Sequence, residues 1–418
     1  MQVILAVPGE IRLVVLGVLG ALLGSLINLG AYRLAWNPRA IGPWWPAAAA
    51  PPRRWTDRLP ILGWLGMRRE AGLHGRGFWI RPMAIELALA LGLPALYWWE
   101  VIEARLLPMP RAAGILPQAA VVLHAQYAAH LVLLSLLLLA ALIDIDEKTI
   151  PDSVTLPGSL AGLIAATLYP LSMLPSAVQW IGGQPVVEPL LLTSPSPWPV
   201  VLSGFPHGGS LALGLGCWWL WCVALMPRTW YNRHGMARAA ALCLARLARD
   251  PATLGMAALG VAGTAAIAGV WFLSGMPWMG LLTALVGLAA GGATVWVVRI
   301  VGTAVLRREA MGFGDVTLMA MIGAFLGWQS CLIIFFLAPL AGVVVGVLVL
   351  LLRREAEIPY GPFLCLATLA HLLYWPGLWA WSRPIFALGL FLPAVLAVGV
   401  VLLAVLLALI QLAKAALR

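Results

Sequence analysis

Residues 311–352 read MGFGDVTLMAMIGAFLGWQSCLIIFFLAPLAGVVVGVLVLLL, and after Asp315 the stretch runs 37 residues without a charge. A hydrocarbon core about 30 Å thick takes roughly 20 apolar residues per helical crossing. This run therefore suffices for two short crossings, at about 316–334 and 337–352, with Pro339 as the expected break. Working outward, further apolar runs lie at about 12–33, 80–99, 119–143, 153–173, 208–226, 253–275, 278–300, 361–381 and 386–411. None alternates every second residue as a barrel strand would, so the expected fold is all-α, a polytopic membrane bundle of about 11 spans.

Composition agrees. Of 418 residues, 62% are hydrophobic and only 10% charged, whereas a soluble domain is about a quarter charged. The same figures exclude a disordered chain, and five cysteines exclude a disulfide scaffold. The net charge of +10 acquires its meaning from its distribution. On the expected spans, twenty-two of the 26 Lys and Arg residues fall on one side, leaving only Arg12, Arg105, Arg111 and Arg383 on the other. That bias puts the N-terminus outside and the C-terminus in the cytoplasm, and the basic balance reads as topology rather than as a nucleic-acid footprint. Met1–Glu10 lacks a basic region ahead of the first apolar run, so that run reads as a retained helix. Three polar excursions remain: 34–79, 174–207 and the basic segment 228–252, within which Met236–Arg249 reads equally as an amphipathic helix on an anionic leaflet or as a solvated connector with stop-transfer arginines.

Only six aspartates occur: Asp57, Asp144, Asp146, Asp152, Asp250 and Asp315. Three sit in DIDEKTIPD, residues 144–152, at the cytoplasmic end of the third span, and Asp315 follows Gly312 and Gly314 directly before the eighth. Carboxylates are costly near hydrocarbon, and the charge map brings these two motifs to one membrane face. Two adjacent carboxylates share a proton and titrate as a pair. The ionised one can take a proton from an attacking water while the protonated one hydrogen-bonds a peptide carbonyl. Taken singly, Asp315 and Asp152 also have the position of helix caps.

These motifs resemble those of the type 4 prepilin peptidases, bacterial inner-membrane aspartic proteases with a Gly-x-Gly-Asp motif. MGFGDVTLMAMIGAFLGW (311–328) resembles the second aspartate motif and DIDEKTIPD the first, in which the aspartate seven residues before the proline, here Asp144 before Pro151, is catalytic. IPYGPFL (358–364) is similar to a third signature, and Gly24–Asn28 with Tyr32–Leu34 to the first helix. The resemblance implies a catalytic pair Asp144 and Asp315, a site shaped by Gly312 and Gly314, and support from Asp146, Pro151, Asp152, Pro359, Gly361 and Pro362. It implies cleavage of the leader of type 4 prepilins or type 2 secretion pseudopilins at the cytoplasmic face of the bacterial inner membrane, in contact with the lipid bilayer and without nucleic acid. It also implies a core of eight spans with inserted helices.

Two departures bear on cofactors. Many relatives carry two Cys-x-x-Cys pairs binding zinc in the first cytoplasmic loop, whereas the stretch from Trp55 here has no cysteine, and the five cysteines show no ligand spacing. No metal is expected, and that loop is expected either to be held by packing of its tryptophans and prolines or to remain loose. S-adenosylmethionine is expected only if the N-methyltransferase activity of many relatives is retained. Residues 208–275 read as an insertion of two spans, an even number that keeps both aspartates on one side. The chain thus divides into 1–101, a first helix, Arg/Trp-rich loop and second helix, and 102–418, the peptidase core. Among weaker signals, Glu86 is read as pairing with Arg81 or snorkelling ahead of a contact with the loop or the active site, and His124, His130 and His371 are expected to make structural hydrogen bonds. The competing classes are a proton- or cation-coupled transporter and an inactive membrane assembly factor.

Overall fold

A computed structural model describes residues 7–108, 117–181, 184–226, 249–307, 309, 311–351, 359–389 and 391–416. Met236–Arg249, read above as an amphipathic helix or a connector, lies outside these residues apart from Arg249 itself, as does Ile358. The long helices are α1 (Gly9–Arg33), α2 (Ile80–Tyr97, ending in a π-turn at Trp98–Ile102), α3 (Pro117–Glu147), α4 (Asp152–Leu168), α5 (Gly208–Leu225), α6 (Pro251–Leu273), α7 (Gly275–Leu306), α8 (Phe313–Leu351), α9 (Gly361–Leu373), α10 (Trp375–Phe386) and α11 (Phe391–Ala416). A two-stranded antiparallel hairpin, β1 (Pro175–Ile181) and β2 (Gln184–Pro189), follows α4.

Helices dominate because backbone polar groups in lipid must be satisfied within the segment itself. Among the described residues seven helices are long and apolar enough to cross a membrane, or eight if α9 and α10 form one bent span. The all-α, multi-pass architecture is as expected, but two breaks fall elsewhere. Pro339 lies inside α8. A proline's fixed φ suits a helix, and its cost is one hydrogen bond and a local clash. The chain turns instead at Gly327, with φ 80° and ψ 169°, a conformation that glycine alone adopts without penalty. Beyond it the chain folds back: Cys331 Sγ lies 3.8 Å from the Met319 carbonyl oxygen, whereas a straight helix separates residues twelve apart by about 18 Å. The single span expected at 361–381 is also broken, with α9 and α10 bent by 95°. Pro376, in the first turn of α10, has no N–H to continue the ladder of α9.

The first half of α8 is the centre of the bundle. Leu318, Met319, Met321 and Ile322 are fully buried and pack with Leu133 and Leu137 of α3 and Leu364 and Ala367 of α9. Backbones of α7 and α8 touch at Gly287 and Gly323, where a Cβ on either would strike the other's carbonyl oxygen. Small residues at such a crossing let helices associate by close packing where lipid removes the hydrophobic drive. At the end of the bundle away from the aspartates, indole N–H groups hold the hairpin: Trp375 Nε1 donates to the Pro175 carbonyl and Trp379 Nε1 to that of Ser176, each at 2.8 Å.

The loop between α1 and α2 is held differently from the expected packing of tryptophans. Trp64 is buried, but Trp36 and Trp55 are 87% and 77% exposed. Short helical turns between Trp55 and His74 are pinned instead by buried ion pairs, Arg53 with Glu70 and Arg69 with Asp57. Glu86 of α2 does not pair with Arg81. Fully buried, it accepts from Ile61 N–H, from Trp64 Nε1 at 2.9 Å and from Asn28 Nδ2 at 3.3 Å, tying the loop to α1 and α2.

Candidate active site

The last turns of α3 carry Asp144 and the first turn of α8 carries Asp315, 3% and 7% exposed respectively. The two carboxylates lie within range of each other's charge. Arg39 and Arg81 pair with Asp146 rather than with either. Backbone amides approach both. The N-terminus of α9 presents the Gly361 amide to Asp144, and the Gly312 amide faces Asp315. Unsatisfied amides and the positive end of a helix dipole favour a carboxylate there.

Glycine is needed at two of these positions for lack of room. A Cβ on Gly361 would collide with the Asp144 carboxylate and come within 2.9 Å of Ile150 Cδ1, and one on Gly314 would lie 2.8 Å from Ile150 Cβ. Ile150 is thus wedged between the two glycine motifs and sets how closely α8 and α9 approach the loop after Asp144. Asp144 Oδ2 is buried without a hydrogen-bond partner. An orphaned carboxylate oxygen costs free energy, and a shared proton or an attacking water would satisfy it.

The other sequence-derived candidates separate. Pro362 sits in the first turn of α9, where its missing N–H costs nothing, and Pro359 precedes it. Pro151 precedes α4 in an extended conformation, and Asp152 is exposed in that helix's first turn, outside the pair. Asp146 turns away, to Arg81 at 2.5 Å and Arg39 at 3.2 Å. The neighbouring Glu147 accepts from the amides of Trp36 and Asn37. Three residues at the pair were not singled out from sequence: Ile150, Tyr360, which lies within range of the Asp315 charge, and Cys365, which lies within range of both aspartates. Cys365 falls one turn after Gly361 on the same helix face, a signal that could have found it. Of the histidines, His124 bonds Tyr97 and the Ala120 carbonyl and His130 bonds Glu100 at 2.9 Å, while both nitrogens of buried His371 lack a partner. Among the described residues no group of three His, Cys, Asp or Glu side chains could hold a metal ion.

Fold and site define an all-α multi-pass membrane protein with two buried aspartates brought together at the ends of its helices. Residues 131–187 and 245–347, which carry Asp144 and Asp315, match the type IV leader peptidase family, so the resemblance read from the two aspartate motifs is borne out for the segments that contain them. Proteins named prepilin leader peptidase/N-methyltransferase are similar: that of Aeromonas salmonicida is 35% identical over 101 residues, 23% of this chain and 35% of the relative. That of Pseudomonas aeruginosa is 35% identical over 111 residues, 23% of this chain and 38% of the relative, and that of Myxococcus xanthus 46% over 73 residues, 18% and 22%. The matches thus span little more than a third of the relatives' length. No solved structure matches. Between the two matched segments lies 188–244, which includes α5, whereas α6 falls inside the second segment.

Proposed function

We propose that this chain is a membrane aspartic endopeptidase that cleaves the leader of type 4 prepilins or type 2 secretion pseudopilins at the cytoplasmic face of the bacterial inner membrane. The observation that carries the reading is that Asp144 and Asp315, from separate helices, are both buried and lie within range of each other's charge. Two such carboxylates cannot both ionise comfortably, so one proton is shared. The ionised member deprotonates a water as it attacks the scissile carbonyl, and the protonated member hydrogen-bonds the carbonyl oxygen and later protonates the leaving amine. The Arg and Lys asymmetry supports the cytoplasmic placing. In this reading 102–418 is the catalytic core, and 1–101 braces it through Arg39 and Arg81 on Asp146.

The relatives' names include methyl transfer. If this chain retains it, S-adenosylmethionine supplies the methyl group. An open cleft beside the end of α3, about 550 Å³, is lined by Trp36, Asn37, Arg39, Asp146, Glu147 and Thr149.

The test is co-expression with the prepilin processed by the Pseudomonas aeruginosa relative, with leader removal read by intact mass. Wild type is expected to remove the leader, and Asp144→Asn and Asp315→Asn to leave it on. A variant that cleaves like wild type removes that residue from the mechanism. The mass of the mature N-terminus reports methylation in the same spectra.

A further inference from the structure

The aspartate carried by α3 sits where a helix is weakest. Asp144 lies in the last turn, and its carbonyl is closed off by the Lys148 amide at 2.8 Å, with Lys148 in the left-handed region at φ 56°. The last carbonyls of a helix have no partners within it, and end turns fray. A carboxylate that has to stay against the Gly361 amide therefore requires that turn to be held from outside.

Arg81, in the first turn of α2, supplies that hold. Its guanidinium donates through Nη1 to Asp146 Oδ1 at 2.5 Å and through Nη2 to the Leu142 carbonyl at 3.1 Å. Leu142 and Asp146 are four residues apart and share one face of α3. Asp144 lies midway between them, and at about 100° per residue its side chain leaves on the opposite side, toward Gly361. One planar fork thus grips the turn from behind while the carboxylate faces the site, and the single point charge of a lysine lacks that geometry. Arg81 is itself fixed in place. Asn28 Nδ2 of α1 donates to the carbonyl of the neighbouring Pro82 at 2.9 Å, and Glu86, about one turn further on, is tied to the loop by Trp64 Nε1 at 2.9 Å. Arg39 adds a bond to Asp146 at 3.2 Å. We infer that Arg81 is a positioning residue for Asp144: by clamping Leu142 and Asp146 it sets the angle at which the Asp144 carboxylate meets Asp315 and the substrate, acting through the helix rather than on the reacting atoms. The inference rests on the endopeptidase reading and adds to it a role for a residue outside both family-matched segments.

The test compares Arg81→Gln, Arg81→Lys and Arg76→Gln, the last at an exposed arginine of the preceding loop, in liposomes containing the same prepilin. Because a misplacement of about 1 Å costs up to about a hundredfold in rate, Arg81→Gln is expected to lower kcat by about tenfold to a hundredfold, with KM little changed. Arg81→Lys keeps the charge opposite Asp146 and loses the second bond, so it is expected to restore kcat only in part. Arg76→Gln is expected to match wild type. Amide hydrogen exchange gives a readout independent of cleavage. In Arg81→Gln the amides of residues 144–148 are expected to exchange at least about tenfold faster, the scale of a lost hydrogen bond to a charged group, while those of α9 keep their wild-type protection. A wild-type kcat in Arg81→Gln, a loss confined to KM, exchange at 144–148 that is unchanged, or exchange that quickens equally in α3 and α9 overturns the positioning role even if the wild-type enzyme cleaves the prepilin. Faster exchange confined to that turn, in a protein whose wild-type form never cuts the prepilin, supports the clamp and overturns the endopeptidase reading instead.

Discussion

Two regions of this protein that bury carboxylates treat them in opposite ways. In and beside the loop between α1 and α2, Glu70 meets Arg53, Asp57 meets Arg69, and Glu86 of α2 accepts from three donors. At the helix ends, Asp144 and Asp315 face backbone amides and lie within range of each other's charge, and Asp144 Oδ2 has no hydrogen-bond donor. Ion pairing stabilises a fold by removing the freedom to exchange protons, so the paired carboxylates build structure and the unpaired ones are left able to do chemistry.

The largest expected effect opposes activity to stability. Asp144→Asn is expected to lower cleavage of the prepilin by at least about a thousandfold while leaving the thermal melting point unchanged or raised, because it relieves a buried like-charge contact. An activity loss accompanied by a comparable loss of stability would erase the distinction between the regions. The converse substitution, Glu70→Gln, strands the buried Arg53 guanidinium and is expected to cost about 3 kcal/mol of stability, with kcat retained below the melting point. Denaturant titration checks the first part and steady-state kinetics the second. Gly361→Ala sharpens the comparison within the site. Its methyl group presses on the Asp144 carboxylate, and a misplacement of about 1 Å costs up to about a hundredfold in rate, with little change in melting.

The smallest effect is a pH dependence confined to the loop. The Arg69 guanidinium hydrogen-bonded to Asp57 holds that carboxyl below its ordinary value of 3.8. The folded state therefore binds the Asp57 proton less readily than the unfolded state. The pair's contribution is fully present above the unfolded value and is lost as pH falls through the lower folded one. Melting between pH 6 and pH 3 should show a drop that Asp57→Asn reduces by about 1 kcal/mol; an unchanged drop would place the acid sensitivity elsewhere.

How far the sequence reveals this structure depends on the range of the interaction. The apolar runs are legible because each helix must satisfy its own backbone in lipid, and DIDEKTIPD and Gly-x-Gly-Asp are legible because few carboxylates occur near hydrocarbon. The turn at Gly327 is not. A proline twelve residues on is the more conspicuous breaker, while the fold-back depends on Cys331 packing against Gly291 and Gly323 from a neighbouring helix and a distant turn. Which of its readings Glu86 takes is hidden for the same reason: the contact with the loop prevails over pairing with Arg81 because its partners Asn28, Ile61 and Trp64 lie in other segments. Within the site, Asp144 and Asp146 are two residues apart and so leave α3 on different faces, one toward Gly361 and one toward Arg39 and Arg81. Ile150 is legible only as an apolar residue before a proline until Gly314 and Gly361 are seen closing on it.

The central claim is that Asp144 and Asp315 act as one proton-sharing unit, and leader removal by purified Asp144→Asn, Asp315→Asn and the double variant tests it most directly. The account predicts that each single substitution abolishes cleavage and that the double variant is no slower than either, as for residues that act together. Cleavage at the wild-type rate by either single variant, or single losses that are partial and multiply in the double, would contradict it.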